Sequence, residues 1–203
     1  MKIDKTAIIS AALDLLNEAG IDALSTRGLA QRLNVQQPAL YWHFKNKQAL
    51  LTAMNAVMLR LGHTHREPAP GQSWQTFIRD HATSFRKALL SFRDGARVHA
   101  GAHTEHEDIE QTDRTLRFMI GHGFSAADVM NLNIAVQRYV VGCVLEEQAE
   151  SPSPEAAAAL DAKVRPYPVA ASALGHYRRR SPEQHFLDGL DLLICGFEAR
   201  YHR

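Results

Sequence analysis

Apolar residues recur at helical spacing along almost the whole chain, and no convincing run shows the period of two that a half-buried strand demands. Ile8, Ala11, Ala12, Leu15 and Leu16 make one stripe, with Asp4 placed to cap its helix and Gly20 to end it. Leu50, Met54, Val57, Met58 and Leu61 make a second, stopped by Gly62. Residues 66–73 form a break, and Ser73 caps a helix carrying Trp74, Phe77, Ile78, Phe85 and Leu89 on one face. Ile109, Leu116, Met119 and Ile120 suggest another helix, ended by Gly121 and Gly123. Ser125 opens a long one, with Val129, Leu132, Val136, Tyr139, Val140 and Cys143 on a face. Residues 151–168 hold Pro152, Pro154, Pro166, Pro168 and a run of four alanines, and are expected to be a mobile linker. A last helix starts near Pro182 with Phe186, Leu190, Leu193 and Phe197 in register, and Leu187 and Ile194 off that stripe. Gly189 and Gly196 on it cost helix stability, so a close helix–helix approach is expected there, within the chain or between subunits; two incidental glycines on a helix under a loop are the alternative. With no internal repeat and no strand–helix–strand pattern, the fold class is all-α.

Composition narrows the class further. At 203 residues and 45% hydrophobic the chain can bury a sizeable core. Its net charge of +1 neither requires nor excludes nucleic acid. Residues 1–50 carry six Lys/Arg against four acids, a local excess that permits phosphate contact. The start "MKIDKTAIIS" lacks the apolar core of a signal peptide, and no run reaches the length of a membrane span. Cys143 and Cys195 form no CxxC. A cytoplasmic protein with reduced, buried thiols is expected. No GxSxG, HExxH, P-loop or dinucleotide fingerprint is present, so the chain is not expected to be an enzyme. The one possible constellation, Ser84, His81 and Asp80, consists of neighbours on one helix that point to different faces.

Residues 25–47 carry the most chemistry. "STRGLAQRL" (25–33) reads as a short helix with Leu29 and Leu33 inward and small Ala30 at a helix crossing. Residues 34–36 are the turn, and "QPALYWH" (37–43) is a second helix with Pro38 in its first turn. Leu40 points back to the core, which leaves Gln37, Ala39, Tyr41, Trp42 and His43 outward. Exposed rings need a cover. The size and spacing are those of a helix-turn-helix whose second helix enters the major groove. Arg27 can pair bidentately with guanine and Gln37 with adenine, and Lys47 starts the next helix where a phosphate is favoured. Spacing alone also admits the aromatics as core of a small bundle.

"ALYWHFKNKQALL" (39–51) resembles the hallmark of the tetracycline-repressor family of transcriptional regulators: Leu40, Tyr41, His43 and Phe44, then Lys47, Leu50 and Leu51. The similarity covers most of residues 3–148, fades through the expected linker and returns at "EQHFLDGLDLLICGFEARY" (183–201). It implies an all-helical homodimer, with residues 1–46 as the DNA-binding domain and 47–203 as the ligand-binding and dimerisation domain. The long helix after Ser125 and the last helix would pair with their symmetry mates. The resemblance implies operator contacts by Thr26, Arg27, Gln37, Pro38, Tyr41, Trp42, His43 and Lys47. Ala39 stands where a threonine is usual and Gly28 where a lysine is usual, so the operator is expected to be palindromic but not identical to the family's best-known one.

The resemblance further implies release from the operator by a magnesium–tetracycline-type chelate. The ligand-binding candidates are His63, His81, Phe85, His99, Thr115, Met130, Asn133 and Leu174. His99 matches the imidazole that ligates the drug-bound magnesium, and Glu146 the carboxylate that holds its water shell. Magnesium prefers oxygen, so one histidine suffices only when the drug supplies oxygens. His81 replaces an asparagine, Thr115 a glutamine and Asn133 an aliphatic residue. Ala102, His103 and Thr104 replace a threonine-arginine-proline run. Eleven histidines leave alternatives open within the same class: another aromatic ligand, or a transition metal on His99, His103, His106 and Glu107.

Overall fold

A computed structural model describes residues 3–102, 109–149 and 152–201; these form eleven helices, with no strand among the described residues. In order they are α1 (Lys5–Ala19), α2 (Thr26–Arg32), α3 (Gln37–Tyr41), α4 (Lys47–Gly62), α5 (Trp74–Leu90), α6 (Gly95–Ala100), α7 (Ile109–Gly121), α8 (Ala126–Glu147), α9 (Pro154–Val164), α10 (Pro168–Arg178) and α11 (Pro182–Tyr201). The all-α expectation is met. Starts follow side-chain caps: Asp4, Ser25, Asn46, Ser73, Ser125 and Ser153 each accept a backbone N–H of the first turn.

One continuous core runs through the molecule. Helices α1 to α3 close around Ile8, Leu16, Leu29 and Leu40. Helix α4 packs on α1, α5 and α6, and α8 packs on α5, α6, α7 and α11. A Cβ on Gly62 would lie 2.6 Å from Ala88 Cα, so α4 and α5 cross in backbone contact at the end of α4. Arg86 of α5 forms a bidentate pair with Glu147 of α8 and lies over the Phe186 ring of α11. That ion pair is largely buried, and removing either partner would strand a charge.

Several expectations change. The span 151–168 is not a bare linker: it holds α9 and the start of α10. Alanine is the best helix former, and Pro154 and Pro168 sit in first turns where no N–H is needed. Neither helix has a buried residue, and the two pack mainly on each other. Helix α6, between the stripes read from the sequence, forms because Asp94 turns the chain at φ 55° and accepts the Ile21 N–H at 2.8 Å. On α11 the buried stripe is Phe186, Leu190, Ile194 and Phe197; Leu193 is half-buried and Leu192 faces outward. Leu61, Ile109 and Ile120 are exposed rather than core. Gly189 is explained within the chain, because the Tyr139 hydroxyl lies where its Cβ would be, whereas Gly196 meets nothing. Cys143 is only half-buried and Cys195 is exposed, both as free thiols.

Candidate DNA-reading face and ligand cavity

The turn between α2 and α3 sets the first site. Asn34 takes φ 51°, and α3 leaves it with Pro38 in its first turn. Leu40 and Phe44 go inside, while Trp42 is 89% exposed. Arg27, Gln37, Pro38, Tyr41 and Lys47 are exposed; Thr26 and His43 are half-buried. Gln37 Nε2 donates to Thr26 Oγ1 at 2.7 Å and approaches Tyr41 Oη at 3.5 Å, tying the two helices across the turn. Lys47 opens α4, beside the N-terminal N–H groups that attract anions, although Asn46 already accepts one of them. So six of the eight candidates fall on α2, α3 and the start of α4, while Trp42 and His43 lie in the turn that follows α3, which ends at Tyr41 rather than at His43; the rings of Tyr41 and Trp42 are not core.

This head is fastened to the rest through α6 and the turn that precedes it. Arg97 pairs bidentately with Asp22 at 2.8 and 2.9 Å, and Arg93 N–H donates to Asn17 Oδ1 at 3.0 Å. The Arg97 hydrogen bond holds the Asp22 carboxyl below the usual carboxylate range.

A cavity of about 800 Å³ lies between α4, α5, α6, α7 and α8. His63, His81, Phe85, His99, Thr115 and Asn133 all line it. His63 and His81 touch edge to face at 4.5 Å, and Phe85 stands between His63 at 5.6 Å and His99 at 5.0 Å. His99 Nδ1 is 3.0 Å from Asn55 Oδ1 on α4, and its Nε2 is 3.1 Å from Gln137 Nε2 on α8. One imidazole thus bridges three helices. Burial pushes His63 down to about 3 and His81 to about 4, and lowers His99 as well. All three are neutral at pH 7.

Three candidates stand elsewhere. Met130 is next to buried Val129, and about 100° of helical turn carries it to the exposed face of α8. Glu146 is exposed in the same way, while Glu147 takes the inward place and pairs with Arg86. Leu174 lies on α10, which packs on α9 and not on the cavity. His103, His106 and Glu107 lie outside the described residues. Sequence reasoning missed Asn55, Arg60, Arg66, Gln111, Gln137 and Arg138 in the lining. Gln137 was findable, four residues after Asn133 on one helix; Arg66, in an irregular stretch, was not. Ser84 contacts the His63 ring at 2.7 Å rather than that of His81, and Asp80 accepts from Gln72.

The donor set suits magnesium only in company. Among the described residues no three His, Cys, Asp or Glu are placed to hold a metal. His99 offers one nitrogen, and the remaining positions would have to be oxygens of a ligand and water. Among the described residues no helix is long and apolar enough to cross a membrane.

Two family models match the chain: "Bacterial regulatory proteins, tetR family" over residues 8–54, and "Tetracyclin repressor-like, C-terminal domain" over residues 67–201. The chain is 44% identical over 200 residues to the tetracycline repressor protein class A from transposon 1721 of Escherichia coli, covering 98% of this chain and 92% of that protein. Against the class D repressor of Escherichia coli it is 44% identical over 203 residues, 98% of this chain and 91% of that protein. Among solved structures, TetR from Acinetobacter baumannii AYE superposes with a TM-score of 0.80 at 42% identity, covering 98% of this chain and 99% of that one. TetR class A in complex with 5a,6-anhydrotetracycline and magnesium superposes with a TM-score of 0.75 at 37% identity, covering 97% and 99%.

Proposed function

The chain belongs to the TetR family of bacterial regulatory proteins and is a DNA-binding repressor released by a small-molecule inducer, and we propose that this inducer is a fused-ring, oxygen-rich compound of the tetracycline type, bound with magnesium. Residues 1–46 would read a palindromic operator in the cytoplasm, through Arg27 and Gln37 on bases and Lys47 on phosphate. Residues 47–203 would hold the inducer and join two copies. The α9–α10 hairpin supports a homodimer, since apart from the Tyr177 contact with His185 of α11 it packs mainly on itself and buries no residue in its own chain. Leu174 could reach a cavity only as part of a second copy's hairpin.

The observation that carries the reading is the position of His99. Magnesium, when bound, would gather the inducer's oxygens into one chelate. His99 Nε2 would leave Gln137 to meet it, and Phe85 would lie against the rings. The Asn55 contact of His99 then transmits the change to α4. That helix runs about 24 Å from His63's end to Lys47, so a tilt at the cavity displaces the reader. A palindrome fixes the separation of its two half-sites, and the moved readers no longer match both. The inducer shifts the equilibrium only by its differential affinity for the two states.

Operator release measured against tetracycline, with magnesium and with chelator, tests this. Release should require magnesium and be abolished in His99→Ala, with operator affinity retained. Release unaffected by His99→Ala would place the metal elsewhere.

A further inference from the structure

Side chains from two other helices hold His99 at both ring nitrogens, and the two contacts agree on one protonation pattern. A neutral imidazole has one N–H and one lone pair. Asn55 of α4 turns its oxygen to Nδ1 at 3.0 Å, and Gln137 of α8 turns its amide nitrogen to Nε2 at 3.1 Å. The amide oxygen can only accept and the amide N–H can only donate, so Nδ1 carries the proton and Nε2 the lone pair. A Lewis acid would bind that lone pair, and Gln137 already occupies it.

The place of Gln137 lets it come and go. It is exposed and yet lines the cavity, which puts it on the rim. Val136 and Val140 anchor this stretch of α8 in the core, so the helix does not depend on the amide. His99 lies half-buried below it, with Phe85 edge-on at 5.0 Å. One lone pair serves one partner at a time, so whatever binds Nε2 must first displace the Gln137 N–H. The freed amide finds water at the rim and recovers much of the loss, and the remainder weakens the incoming ligand. The Asn55 contact survives this exchange. A ligating imidazole needs its other N–H held by such an acceptor, which fixes both tautomer and ring plane.

We propose that Gln137 is a built-in competitor for the His99 lone pair: it covers Nε2 in the free protein and raises the concentration at which any inducer that uses this nitrogen releases the operator, while Asn55 keeps the nitrogen unprotonated. The proposal rests on the reading of His99 above as the inducer's metal-binding side chain, but the cover itself exists without drug or magnesium.

The test compares full-length wild type with Gln137→Met, which keeps the length of the side chain and loses the donor. With neither drug nor metal present, imidazole nitrogen NMR should show His99 Nδ1 protonated in both proteins. The Nε2 resonance should move in the variant towards that of an unbonded acceptor. Acylation of His99 by diethyl pyrocarbonate, read by mass spectrometry of its peptide, should be about 5-fold faster in the variant, the size expected for loss of one neutral hydrogen bond. Tetracycline with magnesium should bind the variant, and release it from operator, at about 5-fold lower concentration for the same reason. A protonated Nε2 in the wild type would overturn the proposal. So would an Nε2 resonance and acylation rate indifferent to Gln137→Met, or faster acylation with drug affinity unchanged or weakened. Failure of drug and magnesium to bind either protein, with acylation still faster in the variant, supports the cover and removes the chelate.

Discussion

Protonation is the most informative property at the scale of single residues. His63 and His81 sit at about 3 and about 4 in the fold, against 6.5 for a free imidazole, chiefly through burial. Between those values the unfolded chain binds protons that the folded chain refuses, so stability rises with pH across the window. Melting temperature should therefore fall as pH drops below about 6.5 and keep falling towards 4. His63→Gln with His81→Asn should flatten that dependence, and an equal slope in wild type and variant would assign the acid sensitivity to other groups. Which single residues could be read beforehand followed from helical spacing. Leu40 inward and Trp42 outward come from counting positions along α3 and its C-cap. Arg66 could not be placed that way, because periodicity says nothing about an irregular stretch whose position depends on Gln111 of α7.

At the scale of elements, the join between α8 and α11 depends on a missing side chain. The Tyr139 ring stacks on Phe186, and its hydroxyl donates to the Phe186 carbonyl at 2.8 Å, in the space over Gly189. Gly189→Ala gains up to about 1 kcal/mol of helix propensity. It also forces the phenol off its carbonyl in a packed core, at about 1–3 kcal/mol. Net destabilisation should show as a lower denaturation midpoint, and Tyr139→Phe should remove most of the penalty; a midpoint unchanged by Gly189→Ala would mean that the ring moves freely. The glycines were visible in the sequence, but their spacing of seven suggested one common neighbour. Only the fold separates Gly189, filled by Tyr139, from Gly196, open on the outer face. Helix α9 was missed for a related reason: prolines read as breakers when they were first-turn residues.

At the scale of the whole molecule, the outward side of α11 presents Leu192, Cys195, Gly196 and Ala199, and α8 exposes Ile134 and Leu145. Leu192 is 76% exposed, so an isolated chain would tolerate Leu192→Asp with little loss. In a dimer joined there, the same change buries an unpaired charge. Sedimentation of Leu192→Asp should show folded monomer with weakened operator binding, and an intact dimer would move the joint to another face. The half-buried Leu193, next in sequence, is the poorer probe, since it is already partly shielded in the single chain. The chain has only two tryptophans, and the fold puts them in opposite surroundings: Trp42 bare on the reader, Trp74 walled in by Phe124 and Phe197. Each half of the molecule therefore carries its own built-in lamp. The long-wavelength emission should respond to operator and the short-wavelength emission to the state of the core. Reading and folding can then be watched at once in the unlabelled protein.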